Sequence, residues 1–168
     1  MLFDTGSQVW YTLVMKILSL DLSSKSSGYA ILNDGKIIDY GTIKSDDKDF
    51  VIRGHYMAEF VRLLFAKYGS FDVVVIEELK VLKNQKVLAM LGIIQGMVIR
   101  ECFNSQVEFV MPTVWRKPYG LNGKREEAKQ KAIQLCKDKG LEVSTDDEAE
   151  AIILGKYFSK RVDSNLSV

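Results

Sequence analysis

Four carboxylates stand where strands and helices should end, and together they could do metal-assisted chemistry. Asp21 closes the apolar run MKILSLDL (residues 15–22), and Glu77 closes VVVIE (residues 73–77). An ionised carboxylate at the end of a buried strand is costly unless something satisfies it. Neither acid has a basic neighbour in sequence, so a cation from solution is the simplest partner. Asp147 and Glu150, in STDDEAEAIIL, are three residues apart and share one face of a helix. An acid in a first helical turn can simply complement the helix dipole, a role that Thr145 and Asp146 fill. Capping does not account for Glu150, which stands just before the apolar run Ala151–Leu154.

Oxygen donors without His or Cys favour Mg2+, with Mn2+ as its substitute. Two such ions held about 4 Å apart can activate a water and stabilise the leaving oxygen of a phosphodiester. Zinc is argued against by the single histidine, His55, and by two cysteines, Cys102 and Cys136, that form no CxxC pair. Those cysteines read as free thiols of a reducing compartment, and the start of the chain lacks the basic segment of a secretory signal. A cytoplasmic protein is the expectation.

The elements that must position the acids follow from periodicity. The stretch Met15–Leu22, Tyr29–Leu32 and Lys36–Ile43 reads as a three-strand meander, with Asp34-Gly35 supplying a tight hairpin turn. Phe50–Tyr68 is helical, Val73–Glu77 a buried strand, Asn84–Phe103 a second helix with apolar residues on several sides, and Val107–Met111 a fifth strand ended by Pro112. KPYGLNGK (117–124) reads as a loop, followed by helices over Glu126–Lys139 and Thr145–Ser159. This order predicts an α/β domain with a mixed five-stranded sheet and helices on both faces. The 168 residues suffice for one such domain, 47% of them hydrophobic and 27% charged. The net charge of +1 hides a segment, Lys80–Lys139, in which twelve basic residues face five acidic ones. Such a run is either a solvated face or a grip on a polyanion.

A competing motif lies at residues 4–6, where Asp4-Thr5-Gly6 is similar to an aspartic protease loop. That chemistry needs two such loops sharing a proton. The nearest second match, VDSN at 162–165, lacks the glycine, and Asp4 has no strand leading into it.

The segments ILSLDLSSKSSGYAIL, VVVIEELK and DDEAEAIIL, in this order, resemble the RuvC Holliday junction resolvases of the RNase H-like superfamily, most of all the shorter phage-type members. The resemblance spans Met15 to about Phe158. It implies a homodimer, with Asn84–Phe103 as its interface helix, that binds four-way DNA junctions and nicks opposed strands symmetrically using Mg2+. By position, Asp21, Glu77, Asp147 and Glu150 match the family's catalytic, metal-binding acids, with Glu150 in place of the usual Asp. Gly28 matches the glycine that follows the first acid. The family's Asp-Pro-Gly is Asp21-Leu22-Ser23 here, Glu78 replaces a neutral neighbour of the catalytic Glu, and Lys80 stands where cellular members carry an aromatic residue. The basic stretch then reads as DNA-binding, with Lys80, Lys83 and Lys86 near the crossover and Trp115, Arg116, Lys117, Lys124 and Arg125 as a second contact set. For Trp115, core packing is an equal alternative.

The resemblance implies a nuclease domain over 15–160, an N-terminal extension over 1–14 and a C-terminal tail over 161–168. Two other functions fit the same residues. One is an RNase H-like nuclease of RNA–DNA hybrids or structured RNA. The other is a non-catalytic dimer that binds branched DNA.

Overall fold

The computed structural model describes residues 15–80 and 83–166. The Asp4 motif and the expected extension over residues 1–14 lie outside the described residues. Three antiparallel strands come first: β1 (Lys16–Asp21), β2 (Ser26–Asn33) and β3 (Lys36–Lys44). Asp34 and Gly35 adopt φ of 49° and 68°, the left-handed pair that a two-residue hairpin turn requires. After α1 (Phe50–Tyr68), strand β4 (Val73–Glu77) pairs parallel to β1. After α2 (Gln85–Glu101), strand β5 (Gln106–Val110) pairs parallel to β4. The sheet order is β3-β2-β1-β4-β5, which leaves β1 central.

A central strand covered on both faces has no polar side, and β1 and β4 are accordingly near-continuous apolar runs. Leu18, Leu20, Val74 and Ile76 face α1 and α2, whereas Ile17, Val73 and Val75 face the opposite core. That second core is closed by α4 (Arg125–Lys137) and α5 (Asp146–Leu166), whose Ala149, Ala151, Ile152 and Leu154 are buried. The mixed five-stranded α/β architecture with helices on both faces is as the sequence predicts. Among the described residues no helix is long and apolar enough to cross a membrane.

Two expectations are corrected. Residues 161–166 continue α5 instead of forming a tail, because no Gly or Pro follows Ser159 and Val162 still packs on the core. The loop expected over 117–124 opens with a 3-10 turn over Lys117–Tyr119, and a short helix opened by Pro112, α3 (Pro112–Arg116), precedes it. Proline is preorganised for the first helical position, and the turn it starts swings Trp115 into the core.

Candidate active site

The acids meet because of strand register and one close helix approach. Leu20 pairs with Ile76 across the parallel β1–β4 ladder, so Asp21 and Glu77 leave the sheet side by side. Helix α5 begins at Asp146 and packs across β2 and β1, which brings its first turns, with Asp147 and Glu150, over those strand ends. Gly28 lies opposite Asp21 in the β1–β2 ladder. A β-carbon at Gly28 would overlap the Asp147 carbonyl and come within 3.1 Å of Ala151 Cβ. Only a glycine there lets the helix sit this close.

Hydrogen bonds fix three of the four carboxylates. The Ser26 hydroxyl donates to Asp147 Oδ2. Glu77 Oε2 accepts from the indole Nε1 of Trp115 at 2.8 Å and from Arg116 Nη2 at 3.2 Å. The same Nη2 donates to Glu150 Oε2 at 2.8 Å. One guanidinium nitrogen thus bridges an acid from β4 and an acid from α5. The guanidinium also lies over the Trp115 ring, 4.9 Å from its centroid. Behind Asp21, the buried Arg53 of α1 donates to the carbonyls of Ser24 (2.6 Å), Asp47 (2.6 Å) and Lys48 (3.0 Å), pinning the loop that follows the acid.

The electrostatics show a site short of positive charge. Burial pushes the Asp21 carboxyl well above the usual carboxylate range, helped by Glu150, Glu77 and Asp147, while Arg116 pulls it partly back. Burial also raises Glu150 against the opposing pull of Arg116, and raises Asp147 against the Ser26 hydrogen bond. A cluster of oxygen donors carrying excess negative charge fits a hard divalent cation in donor type and in charge. Among the described residues, however, no three such side chains are already drawn together as a metal-binding group. Arg116 stands between two of them.

The remaining predicted site residues divide by exposure. Lys80, Lys83, Lys86, Lys117, Lys124 and Arg125 are exposed. Trp115 is fully buried, which corrects its assignment as a DNA contact: its ring packs in the core and its N–H serves Glu77. Arg116 is likewise no outward contact in this state, since its guanidinium turns inward onto Glu77 and Glu150. Glu78 is exposed and lies outside the cluster, and Asp146 pairs with Lys129 at 2.6 Å. Sequence reasoning missed Ser26, whose partner is 121 residues away, and Arg53, whose oxygen acceptors are all backbone carbonyls. No local motif marks either.

No protein-family model matches the chain. It is similar to two proteins named crossover junction endodeoxyribonuclease RuvC. That of Campylobacter lari is 28% identical over 127 residues, covering 73% of this chain and 80% of the relative. That of Campylobacter jejuni subsp. jejuni is 29% identical over 127 residues, with the same coverage. Among solved structures, Thermus thermophilus RuvC superposes with a TM-score of 0.70 at 13% identity, covering 90% of this chain and 97% of that one. The same protein in complex with a Holliday junction substrate gives 0.69 at 16% identity, covering 88% and 96%. The yeast mitochondrial Holliday junction resolvase gives 0.60 at 11% identity, covering 88% and 80%. The fold is therefore of the RuvC, RNase H-like type.

Proposed function

We propose that this chain, RuvC-like in sequence and in fold, is a structure-selective DNA endonuclease that resolves four-way junctions by hydrolysing phosphodiesters in opposed strands. The observation that carries the proposal is the meeting of four carboxylates from β1, β4 and α5 at one end of the sheet. Asp21, Glu77, Asp147 and Glu150 would hold Mg2+, two ions per site, with Mn2+ as substitute. Such ions, when bound, lower the pKa of a water and stabilise the leaving oxygen.

The chain's own residues prepare that chemistry. The Trp115 indole fixes one oxygen of Glu77. Ser26 sets the rotamer of Asp147, and Arg53 holds the loop behind Asp21. The exposed Lys80, Lys83, Lys86, Lys117, Lys124 and Arg125 supply sequence-independent phosphate contacts, so binding should weaken steeply with salt. A second copy of the chain would bring a second cluster for the opposed strand, as a two-fold junction requires. The outer face of α2 and edge strand β5, with the residues just after each, suit that contact: Ile93 of α2, Phe109 of β5, Met111 beyond it and Val114 of α3 are 42–50% exposed, and Phe103 beyond α2 is 81% exposed. The working compartment would be the cytoplasm of a bacterial cell or a phage-infected host.

A substrate panel tests the proposal: four-way junction, flap, fork, linear duplex and RNA–DNA hybrid, each with Mg2+ and with Mn2+. Paired nicks on the junction and little cutting of duplex or hybrid are expected. Preferential cutting of the hybrid would replace the proposal with a hybrid nuclease. Junction binding without nicking of any substrate would reduce the protein to a binding module.

A further inference from the structure

The carboxylate cluster already holds a cation of its own. Arg116 Nη2 lies 2.8 Å from Glu150 Oε2 and 3.2 Å from Glu77 Oε2, occupying one oxygen of each of two of the four acids. Its partners are acids from two different elements, and no other basic side chain forms an ion pair with either among the described residues. The guanidinium is poorly satisfied where it sits. Arg116 Nε is buried with no acceptor, and a buried donor left unmade has a real cost. The side chain is 20% exposed, and its neighbour Lys117 is exposed, so the group is at the rim and not sealed beneath it. Guanidinium matches phosphate geometry as well as it matches carboxylate.

From these observations we infer that Arg116 is a resident counter-cation that competes with divalent metal for Glu77 and Glu150, and that a DNA phosphate relieves the competition by taking its guanidinium. The inference rests on the nuclease reading above and adds a regulation to it: the protein free of DNA is a poor metal binder, and DNA and metal load together. In the free protein the arginine neutralises part of the cluster and engages one oxygen of each glutamate. On a junction, the phosphate supplies Arg116 with acceptors for the fork, Nε included, and the two glutamates become available. By linkage, the factor by which DNA improves metal affinity equals the factor by which metal improves DNA affinity.

The test compares wild type with Arg116→Gln and Arg116→Lys, each checked for native circular dichroism. Mn2+ affinity is read without DNA by the electron paramagnetic resonance of the free ion. Junction affinity is read by fluorescence anisotropy in EDTA and in Ca2+. Without DNA, Arg116→Gln should bind Mn2+ about 10-fold more tightly than wild type, and Ca2+ should tighten wild-type junction binding by about 10-fold. That tightening should largely vanish in Arg116→Gln, whereas Arg116→Lys, which keeps the charge, should stay close to wild type in Mn2+ affinity. Equal Mn2+ affinities of wild type and Arg116→Gln, or equal tightening by Ca2+ in both, would overturn the competition while leaving the nuclease reading in place. Mn2+ binding that is not saturable in any variant, or is indifferent to Asp21→Asn, would overturn both.

Discussion

Gly28→Ala is the smallest change that separates the two halves of the carboxylate cluster. The new methyl group would overlap the Asp147 carbonyl oxygen and carbon, which are backbone atoms of α5 and cannot rotate aside, and would press within 3.1 Å of Ala151 Cβ. The helix must lift off β2, and overpacking of this kind costs about 1–3 kcal/mol. For a chain of this length that corresponds to a fall in melting temperature of roughly 2–4 °C per kcal/mol. Activity should suffer more than stability. The lift carries Asp147 and Glu150 away from Asp21 and Glu77, and a misplacement of about 1 Å in positioned groups costs on the order of 100-fold in rate. Urea or thermal melts measure the first effect and single-turnover nicking of a four-way junction the second, with junction affinity by gel shift as the control that should barely move. A Gly28→Ala protein that melts and cuts like wild type would refute the claim that helix approach sets the site.

Asp21→Asn should raise the melting temperature in EDTA at neutral pH. The folded protein holds this carboxyl's pKa above its unfolded value, so ionisation costs stability as pH rises through the folded pKa. The gain from asparagine should therefore fade toward acidic pH and disappear below the unfolded pKa; a pH-independent gain would point to another cause. Trp115→Phe deletes the indole donor to Glu77 and leaves a smaller ring in the core, so it should cost more than the roughly 1 kcal/mol of the hydrogen bond alone and reduce nicking more than junction binding; unchanged nicking in single-turnover assays would show that Glu77 is oriented by other groups. Cys102 and Cys136 are buried, with their thiols pushed up to about 12 and about 11, so both should resist a thiol reagent at pH 8 until the protein unfolds. Rapid stoichiometric labelling of the native protein would contradict that packing.

The parts of this molecule that are legible in sequence are those set by local chemistry. Asp34-Gly35 announces its hairpin because few residue pairs accept two positive φ angles, and β1 and β4 announce themselves as apolar runs too short for helices. Asp21 and Glu77 stand out because each ends such a run. Trp115 and Arg116 were harder. Beside Lys117 they look like part of a basic surface, and only the turn begun by Pro112 directs both side chains inward to Glu77. The same holds for Ser26 and Arg53, whose partners come from distant segments or from backbone carbonyls that carry no sequence signature. The reach of α5 past Ser159 was missed because exposed Lys160 and Arg161 suggest an end, while Val162 continues the buried stripe.

The most direct measurement is the cutting of a mobile four-way junction by wild type and Asp21→Asn side by side, in Mg2+, with binding followed on the same substrate. Symmetric nicks by wild type, none by Asp21→Asn and comparable junction affinity for both are expected. Equal cutting by the two proteins would contradict the assignment of the carboxylate cluster as the catalytic centre.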